Sequence, residues 1–156
     1  MSEQRVIVAA LDLHRGSNLV AKRALDWAGS QGTVHVICVS EPNIANVKPP
    51  VEEMDAPELT GVDSHKLKDV MDARVDDYKK AHPGKEPPNV ELHLDAGDPA
   101  EKIVALAAKV DADIIVVSSH GRTGIKRLLI GSVAEKVVRL AGCTVVVARE
   151  KRHEKA

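Results

Sequence analysis

The chain has 156 residues, 44% of them hydrophobic, and a formal net charge of −1. That length suits one domain, 1–156, with a sizeable core, and the charge balance argues against an electrostatic nucleic-acid footprint. With one Trp, one Tyr and no Phe, the core must be built from Val, Ile, Leu and Ala, and platforms for stacking single-stranded bases are missing.

Arg5 to Leu11 reads as a first buried strand, ending at Asp12. Gly16-Ser17 opens a helix in which Val20, Ala24, Trp27 and Ala28 share a face, and Gly29 and Gly32 bracket its end. Thr33 to Val39 is a second strand. Residues 41–62 hold Pro42, Pro49, Pro50 and Pro57 without sustained periodicity, which predicts a long surface loop. Leu67, Val70, Met71, Val75 and Tyr78 mark an amphipathic helix that His82-Pro83-Gly84 ends. Val90, Leu92 and Leu94 then alternate with Glu91, His93 and Asp95, the pattern of a half-exposed strand at a sheet edge.

Asp98 as cap and Pro99 at the first position open a third helix, whose apolar face carries Ile103, Leu106, Ala107 and Val110. Asp113 to Val117 is a short β-branched run that reads as a buried fourth strand. Val133, Ala134, Val137, Val138 and Ala141 recur at helical spacing, with Ser132 as expected N-cap and Glu135 completing a capping box. Thr144 to Ala148 is a fifth strand, and 149–156 is a charged tail. No signal-peptide pattern opens the sequence and no apolar run approaches membrane-spanning length, so a cytoplasmic protein without membrane contact is expected.

Strands alternating with helices imply parallel βαβ units with right-handed crossovers. The polar third strand belongs at an edge, which favours the order 3-2-1-4-5. The predicted fold class is α/β, a single doubly wound five-stranded parallel sheet with helices on both faces. Ligands in such sheets bind beyond the carboxyl ends of the strands where the order reverses, here between strands one and four. Asp12 and the segment Ser118 to Gly121 fall at that crevice independently.

The chemistry of the crevice is that of an anion site. Gly121 and Gly131 allow close backbone approach, and the N–H groups of Ser132 and Val133, with the Ser132 hydroxyl, suit a phosphate at a helix start. Turn-making and capping are the plainer roles of those glycines, and no Walker lysine follows them. Arg122, Lys126 and Arg127 either screen a triphosphate or form a solvated helical face. His35 and His93 are candidates to neighbour each other across strands two and three. No Cys or third His completes a set with them, so no metal site is expected. His120 is placed to meet a phosphate or a partner, but no matching nucleophile makes it a catalytic base, and no catalytic residue is assigned. Cys38 and Cys143 lie in apolar strand-like runs and are expected as buried free thiols.

The stretch Ser118-Ser119-His120-Gly121, nine residues, Gly131-Ser132 resembles the nucleotide-binding pattern of the universal stress protein family: Gly, two residues, Gly, nine residues, Gly and Ser/Thr. Ser118 stands at the first glycine of that pattern. The run His120 to Glu135 looks like the family signature nearly letter for letter, and the resemblance covers the whole chain, weakest between Glu41 and Gly61. It implies a fold like that of the adenine nucleotide alpha hydrolases and binding of ATP, or another adenine nucleotide, with Mg. By the same resemblance Asp12 contacts the base, Val39 packs against it, and Ala10 and Leu11 contribute backbone or shape. The remaining implied binding residues are Val117, Ser118, His120, Gly121, Arg122, Gly131, Ser132, Val133 and Ala134. At Ser118 two outcomes stay open: its Cβ crowds the ribose, or its hydroxyl bonds to it. The family also implies a homodimer through Thr144, Val145, Val146, Val147 and Ala148, and a regulatory role in stress toward an unidentified protein partner. Two alternatives stand beside it: a nucleotide-free dimer acting as an interaction module, and a weak ATP hydrolase.

Overall fold

The computed structural model describes residues 4–13, 17–40, 64–119 and 130–151. Nine elements run in the order β1 (Val6–Ala10), α1 (Ser17–Ala28), β2 (Thr33–Ser40), α2 (Ser64–Ala81), β3 (Asn89–Ala96), α3 (Pro99–Lys109), β4 (Ile114–Ser118), α4 (Ser132–Leu140) and β5 (Thr144–Ala148). The five strands are all parallel and lie in the order β3-β2-β1-β4-β5, the doubly wound arrangement expected from the polar alternation of β3. The predicted loop 41–62, the stretch 120–129 and the end of the charged tail lie outside the described residues.

The sheet carries a separate core on each face. Side chains alternate along a strand, so Ile7, Ala9, Val34, Val36 and Val116 point one way and pack under α1 and α2, with Val20, Ala24, Leu25, Leu67 and Met71. Val8, Ile37, Ile115 and Val117 point the other way, against Ala100, Ile103 and Leu106 of α3 and Ala134 and Val137 of α4. Both cores are aliphatic, as the shortage of aromatics requires; Tyr78 is the one buried Phe, Tyr or Trp side chain among the described residues. Small residues at Ala21, Ala24 and Ala28 on α1, all buried, bring that helix close to the strands.

The turn from α1 into β2 depends on two glycines for different reasons. Gly29 has φ +64°, the left-handed conformation that ends a helix. Gly32 needs space instead: a Cβ there would collide with the carbonyl oxygen of Ala28 and lie 2.8 Å from that of Arg5.

Helix α3 starts as predicted, with Pro99 in its first turn and the Asp98 side chain accepting from the Glu101 N–H at 2.9 Å. Helix α4 does not. Its N-cap is Gly131, no side chain caps it, and Ser132 is its first helical residue. The expected capping box is therefore absent: the Glu135 N–H bonds the Gly131 carbonyl at 3.0 Å, and its carboxylate pairs with Arg139 at 3.0 Å. One residue of offset in the chain's entry angle moves Ser132 past the position from which a hydroxyl reaches back.

Candidate functional site

At their carboxyl ends the two central strands part company. The β1–β4 pairing runs from Ile7 opposite Ile114 to Ala9 opposite Val116, and there it stops. Beyond that point the Leu11 N–H bonds the Ile37 carbonyl of β2 at 2.9 Å, while the Ser119 N–H bonds the Ala148 carbonyl of β5 at 3.2 Å. Each central strand thus leans toward its outer neighbour. A crevice opens between them, at the switch in strand order where doubly wound sheets hold ligands.

Several of the predicted residues lie at the ends of these strands or close to them. Ala10 and Val117 follow the last paired residues of β1 and β4, and Leu11 and Val117 are buried. Val39, near the end of β2, packs against the core on the α3/α4 face. Ser118 is half-buried at the end of β4. Asp12 is half-buried, and its Oδ1 accepts from the Ser17 hydroxyl at 2.9 Å, so one carboxylate oxygen anchors the start of α1. Leu13 follows with φ +61°, an uncommon conformation for leucine.

Helix α4 begins beside the crevice. Its N–H groups at Ser132, Val133 and Ala134 precede the first intrahelical bond, so they project from the positive end of the helix. Ser132 is exposed, Val133 half-buried and Ala134 buried. The Gly131 N–H is already committed, donating to the Ser119 carbonyl at 2.9 Å. This bond ties the end of β4 to the start of α4. Gly131 has φ −59° and ψ 153°, values open to any residue. Its lack of a side chain is therefore not demanded by the backbone. His120, Gly121 and Arg122, with Lys126 and Arg127, lie outside the described residues.

Lys136 of α4 braces this end of the α3/α4 face, with Nζ 3.1 Å from Asp98 Oδ2 and 3.5 Å from Glu101 Oε1. The Glu101 N–H and then Lys136 hold the Asp98 carboxyl below its ordinary pKa, and Asp98 raises that of Lys136. Among the described residues both cysteines are free thiols; Cys38 is buried and Cys143 half-buried, with burial raising the pKa of the latter.

His35 and His93 do meet across β2 and β3, with Nδ1 of the first 2.9 Å from Nε2 of the second. Glu91 joins them, its Oε2 3.4 Å from His35 Nδ1. Burial lowers the His93 pKa, as do the His35 and Lys109 charges, against the opposing pull of Glu91. Counting histidines and cysteines overlooks this carboxylate. The available signal is the Glu91-x-His93 spacing, which puts both side chains on one face of a strand.

Fold and crevice together define a doubly wound α/β protein whose central strands part at their carboxyl ends. The model of the universal stress protein family matches residues 4–149. The chain belongs to that family. A universal stress protein of Methanothermobacter thermautotrophicus is 38% identical over 101 residues, 64% of this chain and 63% of the relative. Universal stress protein MJ0531 of Methanocaldococcus jannaschii is 43% identical over 67 residues, 42% of this chain and 39% of the relative. The chain thus covers less than two thirds of the length of these relatives. Among solved structures, a universal stress protein in complex with cAMP superposes with a TM-score of 0.61 at 22% identity, covering 94% of this chain and 98% of that one. The Archaeoglobus fulgidus protein in complex with dAMP gives 0.58 at 22%, again covering 94% and 98%. Among the described residues no helix is long and apolar enough to cross a membrane.

Proposed function

We propose that the chain binds an adenine nucleotide, ATP with Mg, in the crevice between β1 and β4, and acts in stress as a cytoplasmic regulatory homodimer rather than a catalyst. In this reading residues 1–156 form one domain, with 41–62 as its surface loop and 149–156 as its tail. The observation that carries the nucleotide is the parting of β1 and β4 beside the N–H groups that open α4, next to a glycine whose backbone does not require it. The base lies toward Asp12 and Val39. The phosphates lie at Ser132 and Val133, where backbone donors and the helix dipole favour negative charge. The cAMP and dAMP bound by two relatives of the same fold support adenine as the base.

Binding acts by population shift: the nucleotide favours one arrangement of a surface read by a protein partner. For the homodimer, β5 is the terminal strand of the sheet, and its outer edge offers ladder groups to a second copy. The nucleotide-free dimer remains the second reading, carried by Ser118 at the position of the family's first glycine.

The test is mass spectrometry of small molecules released from gently purified protein, followed by calorimetric titration with ATP and magnesium. An adenine nucleotide in the released fraction and saturable binding are expected. No binding at millimolar ATP would overturn the nucleotide and leave the second reading.

A further inference from the structure

We propose that His35, Glu91 and His93 form a binding site for a divalent transition cation of the zinc class on the β2–β3 edge of the sheet. The three ligand atoms, His35 Nδ1, His93 Nε2 and a Glu91 carboxylate oxygen, lie within 4.8 Å of one another. Metal–ligand bonds of about 2.0–2.1 Å directed tetrahedrally hold ligand atoms about 3.3 Å apart. The separations from His35 Nδ1 are 2.9 Å to His93 Nε2 and 3.4 Å to Glu91 Oε2. A cation can enter this triangle with small rotations of the side chains.

Strand register is what assembles the group. His35 lies opposite Glu91, and Ile37 opposite His93, in the parallel β2–β3 ladder. Side chains of paired residues in a parallel ladder share a face, so all three ligands rise from the α3/α4 side of the sheet. His35 is only 9% exposed; Glu91 is exposed and His93 half-buried. The site therefore has a fixed floor and an open top, on strands rather than a loop. Three protein ligands leave a fourth position for water.

Ligand chemistry selects the cation. Two imidazoles and one carboxylate suit zinc and its first-row neighbours, whereas Mg²⁺ and Ca²⁺ require oxygen donors throughout. Asp95, next on the same face of β3, is drawn toward Lys102 Nζ at 3.6 Å. The set is thus two histidines and Glu91. Without metal, the 2.9 Å contact between the rings needs one nitrogen to carry a proton and the other a lone pair. Metal needs both lone pairs, so the donor ring moves its proton to its other nitrogen as the cation binds.

The experiment is calorimetric titration of chelator-stripped full-length chain with zinc chloride, alongside the visible spectrum of the cobalt(II) form. Expected are one saturable site and the strong d–d bands of tetrahedral cobalt. Affinity should fall at least tenfold in His93→Ala and in Glu91→Gln, and stay unchanged in His65→Ala, which alters a histidine of α2. Glu91 is exposed, so Glu91→Gln keeps the test sound where His93→Ala fails to fold; circular dichroism checks both. Absence of saturable zinc binding overturns the proposal. So does one site of equal affinity in wild type and Glu91→Gln, because Glu91 would then hold no metal.

Discussion

Replacing Gly131 by valine separates the two roles open to this glycine. Its φ of −59° and ψ of 153° are accessible to valine, and its N–H keeps the 2.9 Å bond to Ser119 because no atom of that bond is altered. The cost to folding includes that of a poorer N-cap residue, about 1 kcal/mol, and any overpacking at this buried position, which the unfolding measurement reads. Ligand affinity should suffer separately. Gly131 is buried where the proposed phosphates approach the Ser132 and Val133 N–H groups. A branched side chain there displaces at least one charged hydrogen bond, about 1.5–3 kcal/mol. That corresponds to a loss of roughly tenfold to a hundredfold in Kd. Calorimetric titration with ATP and magnesium reads the affinity, and urea unfolding of the same samples reads the stability. A folded Gly131→Val protein that binds ATP as tightly as wild type would refute the placement of the phosphates.

Other outcomes follow from geometry alone. Gly29→Ala meets open space but an unfavourable φ of +64° and should cost about 1–2 kcal/mol. Gly32→Ala drives a Cβ into two backbone carbonyls and should cost clearly more; equal urea midpoints for the two variants would contradict this. The Ala148 carbonyl faces β4, so by strand alternation Val146 also faces β4 and Val147 presents its N–H to the open edge. Val147→Pro should therefore yield folded monomer by light scattering, whereas Val146→Pro should damage the sheet itself; an intact Val147→Pro dimer would place the interface elsewhere. The Asp98 pKa is lowered on folding, so its charge stabilises the fold above its ordinary value of 3.8, and that contribution is lost as pH falls through the folded value. The melting-temperature gap between wild type and Asp98→Asn should accordingly close in acid, and a gap that persists unchanged below 3.8 would disprove the linkage.

Long-range order was legible wherever burial is written as periodicity. Glu91, His93 and Asp95 cannot all sit in a covered strand, and this alone sends β3 to the edge and fixes where the order reverses. Asp98-Pro99 worked as a helix start because a proline at the first position fixes the chain's entry on its own. Ser132 misled because capping depends on entry angle, and Gly131 leaves that angle to the preceding bond with Ser119. The His35–Glu91–His93 group was half visible. Two histidines suggest proximity, but only the register, with His35 opposite Glu91, supplies the third ligand. Register is set by the whole ladder and cannot be read from either strand separately.

The bond between the Ser119 carbonyl and the Gly131 N–H makes the eleven residues 120–130 an insert between two posts. The posts stand at the end of β4 and the start of α4. Lengthening such a closed segment is inexpensive for folding, about 0.6 kcal/mol for each doubling. Under the proposed nucleotide reading, ligand preference can therefore be redesigned by grafting at a small cost in loop closure. An exchange of 120–130 between relatives should alter what is bound far more than how firmly the chain folds.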